Sequence, residues 1–291
     1  MTVPLPPAVV PSEPPAPQRV SRRGLVLGTA GFGLGVLGGA AVLRRMADQA
    51  GPGVPWPTEG GDPAEREQAE CVDASSLLRT DTIGSARLVY EVNGRASSMG
   101  FDPGFHRQLT TWLADWNTTS RYRGVRDLWS YGAHVNKDGC RSWHASGRAF
   151  DISRLRAGDN LLVSCRTDLW HEVSPARRTD LTRRYWTLAA SLHLHFAYVL
   201  THHFDARHDN HIHVDNSVSG SGMSRFTTRS RVQNQAVQAI CASIWGRGGD
   251  VTGEWNDARR QVTPVLDDLG LGNLTKQETW QRFLRASVAR G

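Results

Sequence analysis

Two short segments concentrate the chemically capable side chains, and they constrain the fold because they must meet across a long stretch of chain. The first runs from Ser142 to Asp151 and the second from His208 to Asp215. A catalytic zinc takes three protein ligands from His and carboxylate side chains and keeps a fourth position for water. Both kinds of ligand occur in these segments, so we predict one metal site shared between them.

The spacing within each segment supports this arrangement. On a strand, the two-residue period places His211 and His213 on the same face, so one imidazole can bind a metal while the other reaches the water beside it. Gly147 lets the chain bend between His144 and Asp151, so that both side chains can turn towards one ion. The two segments can therefore surround one ion from two sides.

Together the segments match the pattern S-x-H-x-x-G-x-A-x-D followed by H-x-x-H-x-H. In these residues the chain resembles the zinc peptidases of the lysostaphin, D-alanyl-D-alanine peptidase and sonic hedgehog superfamily, and within it most closely the extensin-like C-terminal domain. The resemblance covers about residues 86–216. It implies that Zn²⁺ is the cofactor and that His144, Asp151 and His213 bind it.

The same resemblance implies roles for the remaining polar groups. His211 would be the general base or electrostatic partner of the attacking water, and His208 an auxiliary polar group near the substrate. Relatives also carry an arginine or glutamine upstream of the first motif that steadies the oxyanion, and extensin-like domains show Tyr-x-Cys-Arg there. This chain reads Tyr-Gly-Ala-His over residues 131–134, so we expect His134 or Arg141 to serve instead.

Hydrophobic periodicity predicts an α+β fold with a small antiparallel sheet and flanking helices, and this fold would carry the single zinc site implied by the motifs. The sheet is expected to be antiparallel because strands come in runs rather than in strict β-α-β alternation. Asp102-Pro103 and Ser174-Pro175 are helix start signals. Strands are expected at 86–92, 128–135, 148–153, 161–165 and 211–214, and two further helices at 230–244 and 275–289 with an irregular Gly-rich stretch between them.

Composition along the chain suggests four parts. Residues 1–50 are expected to form a twin-arginine signal or membrane anchor with a disordered Pro-rich start, and 51–82 a linker. Residues 83–222 would be a zinc peptidase-like catalytic domain, and 223–291 a helical C-terminal appendage. The appendage faintly resembles a small peptidoglycan-binding repeat; a helical extension packed on the catalytic domain is the alternative.

The N-terminal part predicts export. Ser21-Arg22-Arg23-Gly24-Leu25-Val26 leads into an apolar run that ends at Leu43, which resembles a twin-arginine signal. The run is just long enough to span a bilayer, so an uncleaved membrane anchor is the alternative. In either case the catalytic part is expected outside the cytoplasm, free, in the cell wall, or anchored and facing outward.

Charge argues against a nucleic-acid partner. The formal net charge is +6, but residues 1–50 hold five arginines against two acidic residues, so the remainder is only mildly basic. We find no basic stretch with interleaved aromatic residues of the kind that nucleic-acid modules use. A mild positive surplus is compatible with an anionic wall polymer.

Four cysteines, Cys71, Cys140, Cys165 and Cys241, are scattered and form no C-x-x-C pair. This spacing argues against a structural zinc knuckle, and an even count in an exported protein favours disulfides. Three pairings are possible, of which we favour Cys140 with Cys165.

These features predict an exported zinc metallopeptidase, similar to D-alanyl-D-alanine carboxypeptidases or endopeptidases. The family resemblance and the expected export imply that its substrate is a peptide bond in the stem or cross-link peptides of peptidoglycan. The alternative is a non-catalytic domain that keeps zinc for stability and binds peptidoglycan peptides or another cell-wall polymer. A nuclease or phosphoesterase is disfavoured because no carboxylate set for a second metal is seen.

Overall fold

The computed structural model of the protein describes residues 71–135, 142–216 and 223–291. The expected export segment, the first part of the expected linker, Cys140 and Arg141 lie outside these ranges. In the part of the chain that is described, no helix combines the length and the apolar character needed to span a membrane.

Ten strands occur in the described residues, and several are only two or three residues long. In chain order they are β1 (Leu78–Thr80), β2 (Thr82–Ile83), β3 (Ala86–Tyr90), β4 (Arg95–Ala96), β5 (Met99–Phe101), β6 (Asp127–Gly132), β7 (Ala149–Ala157), β8 (Asn160–Ser164), β9 (Tyr198–Leu200) and β10 (Ile212–Asp215). All five expected strands are found, with ends shifted by a few residues.

Eight of these strands form one sheet, with the main order β2-β3-β6-β7-β10-β9. Strand β4 pairs with β3 and β8 pairs with β7, while β1 and β5 form a separate two-stranded sheet. The long strand β7 is central, because it pairs with β6, β8 and β10. The sheet therefore brings the two chemically rich segments onto adjacent strands.

The expectation of a small, antiparallel sheet is wrong in both respects. The sheet is larger, because strands of two or three residues such as β2, β4 and β9 join it and carry too few residues to show a period. It is also mixed, because β3 pairs with β6 in parallel. A parallel neighbour requires a crossover connection, and the first long helix supplies it between these two strands.

Five α-helices occur in the described residues: α1 (Pro103–Thr119), α2 (Pro175–His195), α3 (Arg231–Trp245), α4 (Trp255–Asp268) and α5 (Gln277–Arg290). Both expected helix starts are confirmed. The Asp102 carboxylate accepts a hydrogen bond from the Phe105 N–H at 2.9 Å, and the Ser174 hydroxyl accepts one from the Arg177 N–H at 3.3 Å. These caps satisfy backbone donors that the first helical turn leaves free.

The core lies between the sheet and helices α1 and α2. The Trp112 indole donates to the Ser191 hydroxyl at 3.1 Å, which ties α1 to α2. Each fully buried apolar side chain of this size contributes about 1.5–3 kcal/mol, so the stripe along α1 is a major stabilising element. Its members are all buried: Phe105, Leu109, Trp112, Leu113 and Trp116.

The C-terminal helices share this core. Helices α3 and α5 pack on α2, and α4 packs on α3, all within the compact unit Pro55–Gly291. The stretch expected to be irregular between two of these helices contains α4, so that expectation is wrong. Its buried residues Ala258, Val262, Val265 and Leu266 do recur at helical spacing, but glycines on both sides of the helix obscured the period.

The favoured disulfide between Cys140 and Cys165 is also wrong. Cys165 is a free thiol with no exposed surface, at the end of β8, where it points into the core. Burial raises the pKa of this thiol far above its usual value, so it stays protonated. Cys71 takes part in a disulfide bond, and Cys241 is a second free, buried thiol.

Candidate metal centre

Three side chains from the two motif segments converge on one point. The Nε2 atom of His144 lies 3.2 Å from the Nδ1 atom of His213 and 3.2 Å from the Oδ1 atom of Asp151. The Nδ1 atom of His213 and the Oδ1 atom of Asp151 are 3.0 Å apart. The structure thus assembles the expected set of His144, Asp151 and His213 as a group that could hold a metal ion.

Sheet register explains why two of these residues meet. Strands β7 and β10 are antiparallel neighbours, and His213 pairs directly with Asp151. Side chains of directly opposed residues point to the same face of a sheet, within about 4.5–5.5 Å at Cβ. The flanking residues Phe150 and Ile152 point the other way and are fully buried in the core. The alternation along β7 therefore presents the carboxylate on the face opposite the core.

A tight turn delivers the third residue. His144 lies in a short 3-10 helix, Trp143–Ser146, and its backbone N–H donates to the capping Ser142 hydroxyl at 3.4 Å. Gly147 ends this helix with a left-handed backbone, at φ 69°, and β7 begins two residues later. The expected bend at Gly147 is confirmed, and it is what turns His144 back over Asp151.

The bend gives a prediction about Gly147→Ala. A Cβ atom there would meet the backbone N of Asp102 at 2.8 Å and the backbone C of Phe101 at 3.1 Å, in a left-handed conformation that alanine resists. We expect the free energy of unfolding to fall by about 3 kcal/mol and zinc affinity to fall as His144 shifts. Denaturant unfolding and metal titration of the full chain measure both.

Gly158→Ala is the matched control for this variant. Gly158 is also left-handed, at φ 62°, but a Cβ atom there would meet nothing within 4 Å. Gly158→Ala should therefore lower the free energy of unfolding by about 1–2 kcal/mol through backbone strain alone and leave zinc affinity unchanged. Equal losses in both variants would show that the close approach to Asp102 has no effect.

Hydrogen bonds on the far side of each imidazole fix which ring nitrogen faces the cluster. The Nδ1 atom of His144 is bonded to the carbonyl oxygen of Ala133, and Nε2 of His213 lies 3.0 Å from the Asp215 carboxylate. Each partner can only accept, so these nitrogens carry the protons when the rings are neutral. The lone pairs of the opposite nitrogens then face the space that they share with the Asp151 carboxylate, where they are available to a metal ion.

The donor set and spacing fit zinc. Tetrahedral zinc with bonds of about 2.0–2.1 Å holds its ligand atoms about 3.3–3.4 Å apart, close to the distances found here. Two imidazoles and one carboxylate are also a usual ligand set for catalytic zinc, which retains an open position. Asp215 behind His213 supplies the carboxylate that commonly orients a zinc-binding histidine.

The electrostatics of the cluster are strongly coupled. Burial by itself would raise the pKa of Asp151, but the neighbouring His144 and His213 hold it well below its usual value. Burial would lower the pKa of His213, but hydrogen bonds to Asp151 and Asp215 outweigh it and raise that pKa to about 10. Without metal, His213 therefore carries a proton between two carboxylates, and metal binding at Nδ1 must release it.

His211 lies at the edge of the cluster. Its Nε2 atom is 3.5 Å from Oδ1 of Asp151, and its Nδ1 atom is held by the side-chain oxygen of Asn210 at 2.6 Å. Burial lowers the pKa of His211 to about 4, so the ring is neutral at pH 7. A neutral ring held at Nδ1 by an acceptor presents Nε2 as a proton acceptor.

His208 lies behind His211 and His213. Its ring centroid is 5.1 Å from that of His211 and 6.1 Å from that of His213. Its Nδ1 atom lies 2.7 Å from the Asp205 carboxylate, and burial lowers its pKa. His208 therefore packs behind the histidines of the cluster rather than among the ligand atoms.

His134 is not brought into the cluster. Its Nε2 atom lies 3.2 Å from the carbonyl oxygen of Val72, and its charge interaction is with Asp73. The neighbouring residue Ala133 does reach the site, but through its backbone carbonyl. The other expected stand-in for the oxyanion residue, Arg141, lies outside the described residues.

Several site residues were not identified from the sequence. Asp205, Asn210 and Asp215 each orient one histidine of the second motif. Asp215 could have been found, because it lies two residues beyond His213 on a strand and so shares its face. The partners of His208 and His211 lie in irregular turns, where no period connects a residue to its neighbour in space.

A network of ion pairs, with one backbone hydrogen bond, stabilises the loop that carries His208 and His211. The buried Glu91 carboxylate pairs with Arg154 at 2.7 Å and Arg166 at 2.8 Å, and Arg166 also pairs with Asp168 at 2.6 Å. The Asp168 N–H donates to the Asp209 carbonyl at 3.0 Å. The network therefore links strands β7 and β8 to the start of the second motif.

One family model matches the part of the chain that contains this cluster. Residues 108–225 match the model of the family described as Extensin-like protein C-terminus. The matched range includes all three candidate ligands together with His208 and His211. The match supports an extensin-like domain in this part of the chain. Searches of the curated proteins and of the solved structures give no match.

Proposed function

We propose that the protein is a zinc-dependent peptidase. The observation that carries the proposal is the convergence of His144 Nε2, Asp151 Oδ1 and His213 Nδ1, all within 4.8 Å of one another, with His211 beside them. A purely structural zinc is usually closed by four protein ligands. Three ligands with a neutral histidine at the edge match the catalytic pattern better than the structural one.

The reaction would be hydrolysis of a peptide bond. The water oxygen bonds to the carbonyl carbon, the C–N bond breaks, and the products are a carboxylate and an amine. Zinc, when bound, would supply Lewis-acid polarisation of the water and the carbonyl. His211 would accept the proton of the water at Nε2 and return it to the departing amine nitrogen, while Asn210 holds the ring in position.

The substrate class that we propose is the peptide part of peptidoglycan. The support is the resemblance of both motifs to wall-acting zinc peptidases, together with the export signal predicted for residues 1–50. A location outside the cytoplasm would put the site next to stem and cross-link peptides. The alternative, a wall-binding domain that keeps zinc for stability, leaves His211 without a chemical task.

Product analysis tests this proposal. The full-length, zinc-loaded protein is incubated with purified muropeptides, and the products are identified by mass. We expect a gain of one water per cleaved bond, loss of cleavage with a chelator, and recovery when zinc is restored. Retention of intact muropeptides without cleavage would contradict the peptidase and favour the wall-binding alternative.

A further inference from the structure

An aromatic side chain lies directly beside His211. Tyr131 is on β6, the strand next to β7, and its ring meets the His211 ring edge to face, with centroids 5.9 Å apart. Ser130 pairs with Tyr90 on β3 and with the buried Ile152 on β7, and the register between β6 and β7 is irregular between Ser130 and Gly132. The contact with His211 places the Tyr131 ring on the other face of the sheet, which also carries Asp151 and His213. His144 reaches this face from its 3-10 helix.

The Tyr131 hydroxyl is free to bind a ligand. It makes no hydrogen bond to any residue in the described ranges, although the ring is half-buried. Buried tyrosines usually find a partner for this group. Burial raises the pKa of Tyr131 more than the charge of Arg166 lowers it, so the phenol remains a hydrogen-bond donor at neutral pH.

The charges of Arg166, Glu91 and Asp168 all act on the Tyr131 phenol. Arg166 is itself fixed by ion pairs to both acids, at 2.8 Å to Glu91 and 2.6 Å to Asp168. A donor that is oriented before the substrate arrives needs no reorganisation during the reaction, which is what oxyanion stabilisation requires.

Two residues were expected to stabilise the oxyanion. His134 is engaged with the carbonyl oxygen of Val72, and Arg141 lies outside the described residues. Tyr131 lies beside His211, with its ring half-buried. This difference between His134 and Tyr131 points to a specific role for the tyrosine.

We propose that the Tyr131 hydroxyl donates a hydrogen bond to the carbonyl oxygen of the scissile peptide bond as negative charge develops on it. The inference rests on the proposed peptidase function and adds a catalytic residue to it. The proton stays on the phenol throughout, and no bond to Tyr131 forms or breaks. Because the charge grows only on the way to the transition state, the hydrogen bond should affect kcat more than KM.

Tyr131→Phe tests the inference, with Tyr90→Phe as the matched control on the opposite face of the same sheet. Removal of one oxyanion donor typically lowers kcat by about 100- to 1,000-fold. We expect a loss of at least about 100-fold for Tyr131→Phe, with KM changed by less than about threefold. The affinity for a phosphinate analogue of the tetrahedral intermediate should fall in parallel, while zinc content and Tm stay at wild-type values.

Three outcomes would contradict either the role of Tyr131 or the proposed peptidase function. Cleavage by the wild type with equal kcat and equal phosphinate affinity in Tyr131→Phe would overturn this inference and leave the peptidase proposal standing. An equal loss in Tyr90→Phe would also overturn it, because the effect would then not depend on the position beside His211. No cleavage and no phosphinate binding by wild-type protein would overturn the proposed function, and the role of Tyr131 with it.

Discussion

Replacing Asp151 with asparagine is expected to abolish stoichiometric zinc binding and, with it, hydrolysis. The amide would keep the shape of the side chain but remove the one negative charge that His144 and His213 share. Replacement of residues that merely orient a zinc ligand already costs 10- to 100-fold in affinity. Loss of a ligand should therefore weaken binding by at least about 100-fold, as measured by metal titration after dialysis.

A thermal readout separates loss of metal from loss of fold. Zinc should raise the Tm of the wild type, because a ligand that binds the folded state alone stabilises it, and it should leave the Tm of Asp151→Asn unchanged. Asp159→Asn is the matched control: it makes the same change in an exposed residue just beyond the other end of β7. Stoichiometric zinc in Asp151→Asn, or an equal loss in Asp159→Asn, would refute the assignment of the metal centre.

The convergence of the candidate ligand residues could be predicted from sequence because local geometry constrains them. Gly147 lies between His144 and Asp151 in the first motif, and the structure needs a left-handed residue there because an added Cβ would meet the Asp102 backbone. In the second motif, His211 and His213 both reach Asp151, at 3.5 and 3.0 Å, as their two-residue spacing predicts. Short-range patterns therefore identified which side chains could converge.

The environment of the ligands could not be predicted, because it depends on contacts between distant parts of the chain. Ala133 orients His144 through a backbone carbonyl, which has no sequence signature. The hydrogen bond between His134 and the Val72 carbonyl joins residues that are far apart in sequence. Nothing in the local pattern around position 134 distinguishes a histidine that faces the site from one that faces another loop.

Dependence on contacts between distant parts of the chain also explains why some features of the fold were not predicted. The start of strand β7 was predicted to within one residue, although the strand continues to Ala157, past the predicted end at 153. Strands β2 and β4 have two residues each and no measurable period. The parallel pairing of β3 with β6 depends on how α1 crosses the sheet. Free Cys165 shows a related effect: its position in a buried strand end, rather than the number of cysteines in the chain, decides its state.

Replacing His211 with alanine is expected to lower kcat by about 100- to 10,000-fold, the range typical for loss of a general acid–base group. Zinc content should stay near that of the wild type, because the Nε2 atom of His211 lies 3.5 Å from Asp151 Oδ1 and outside the candidate ligand set. His211→Gln should be nearly as inactive, since an amide can still hydrogen-bond to water but cannot accept its proton. Steady-state kinetics with muropeptides and metal analysis of the same samples measure both quantities.

The comparison with Asp151→Asn then separates the two roles within one cluster. Asp151→Asn should lose metal and activity together, whereas His211→Ala should lose activity alone, and His171→Ala, an exposed histidine, should lose neither. Activity in His211→Ala that matched the wild type would exclude a proton-transfer role for this ring. Loss of zinc from His211→Ala would instead make His211 a fourth ligand, and such a closed site would be typical of a structural metal rather than a catalytic one.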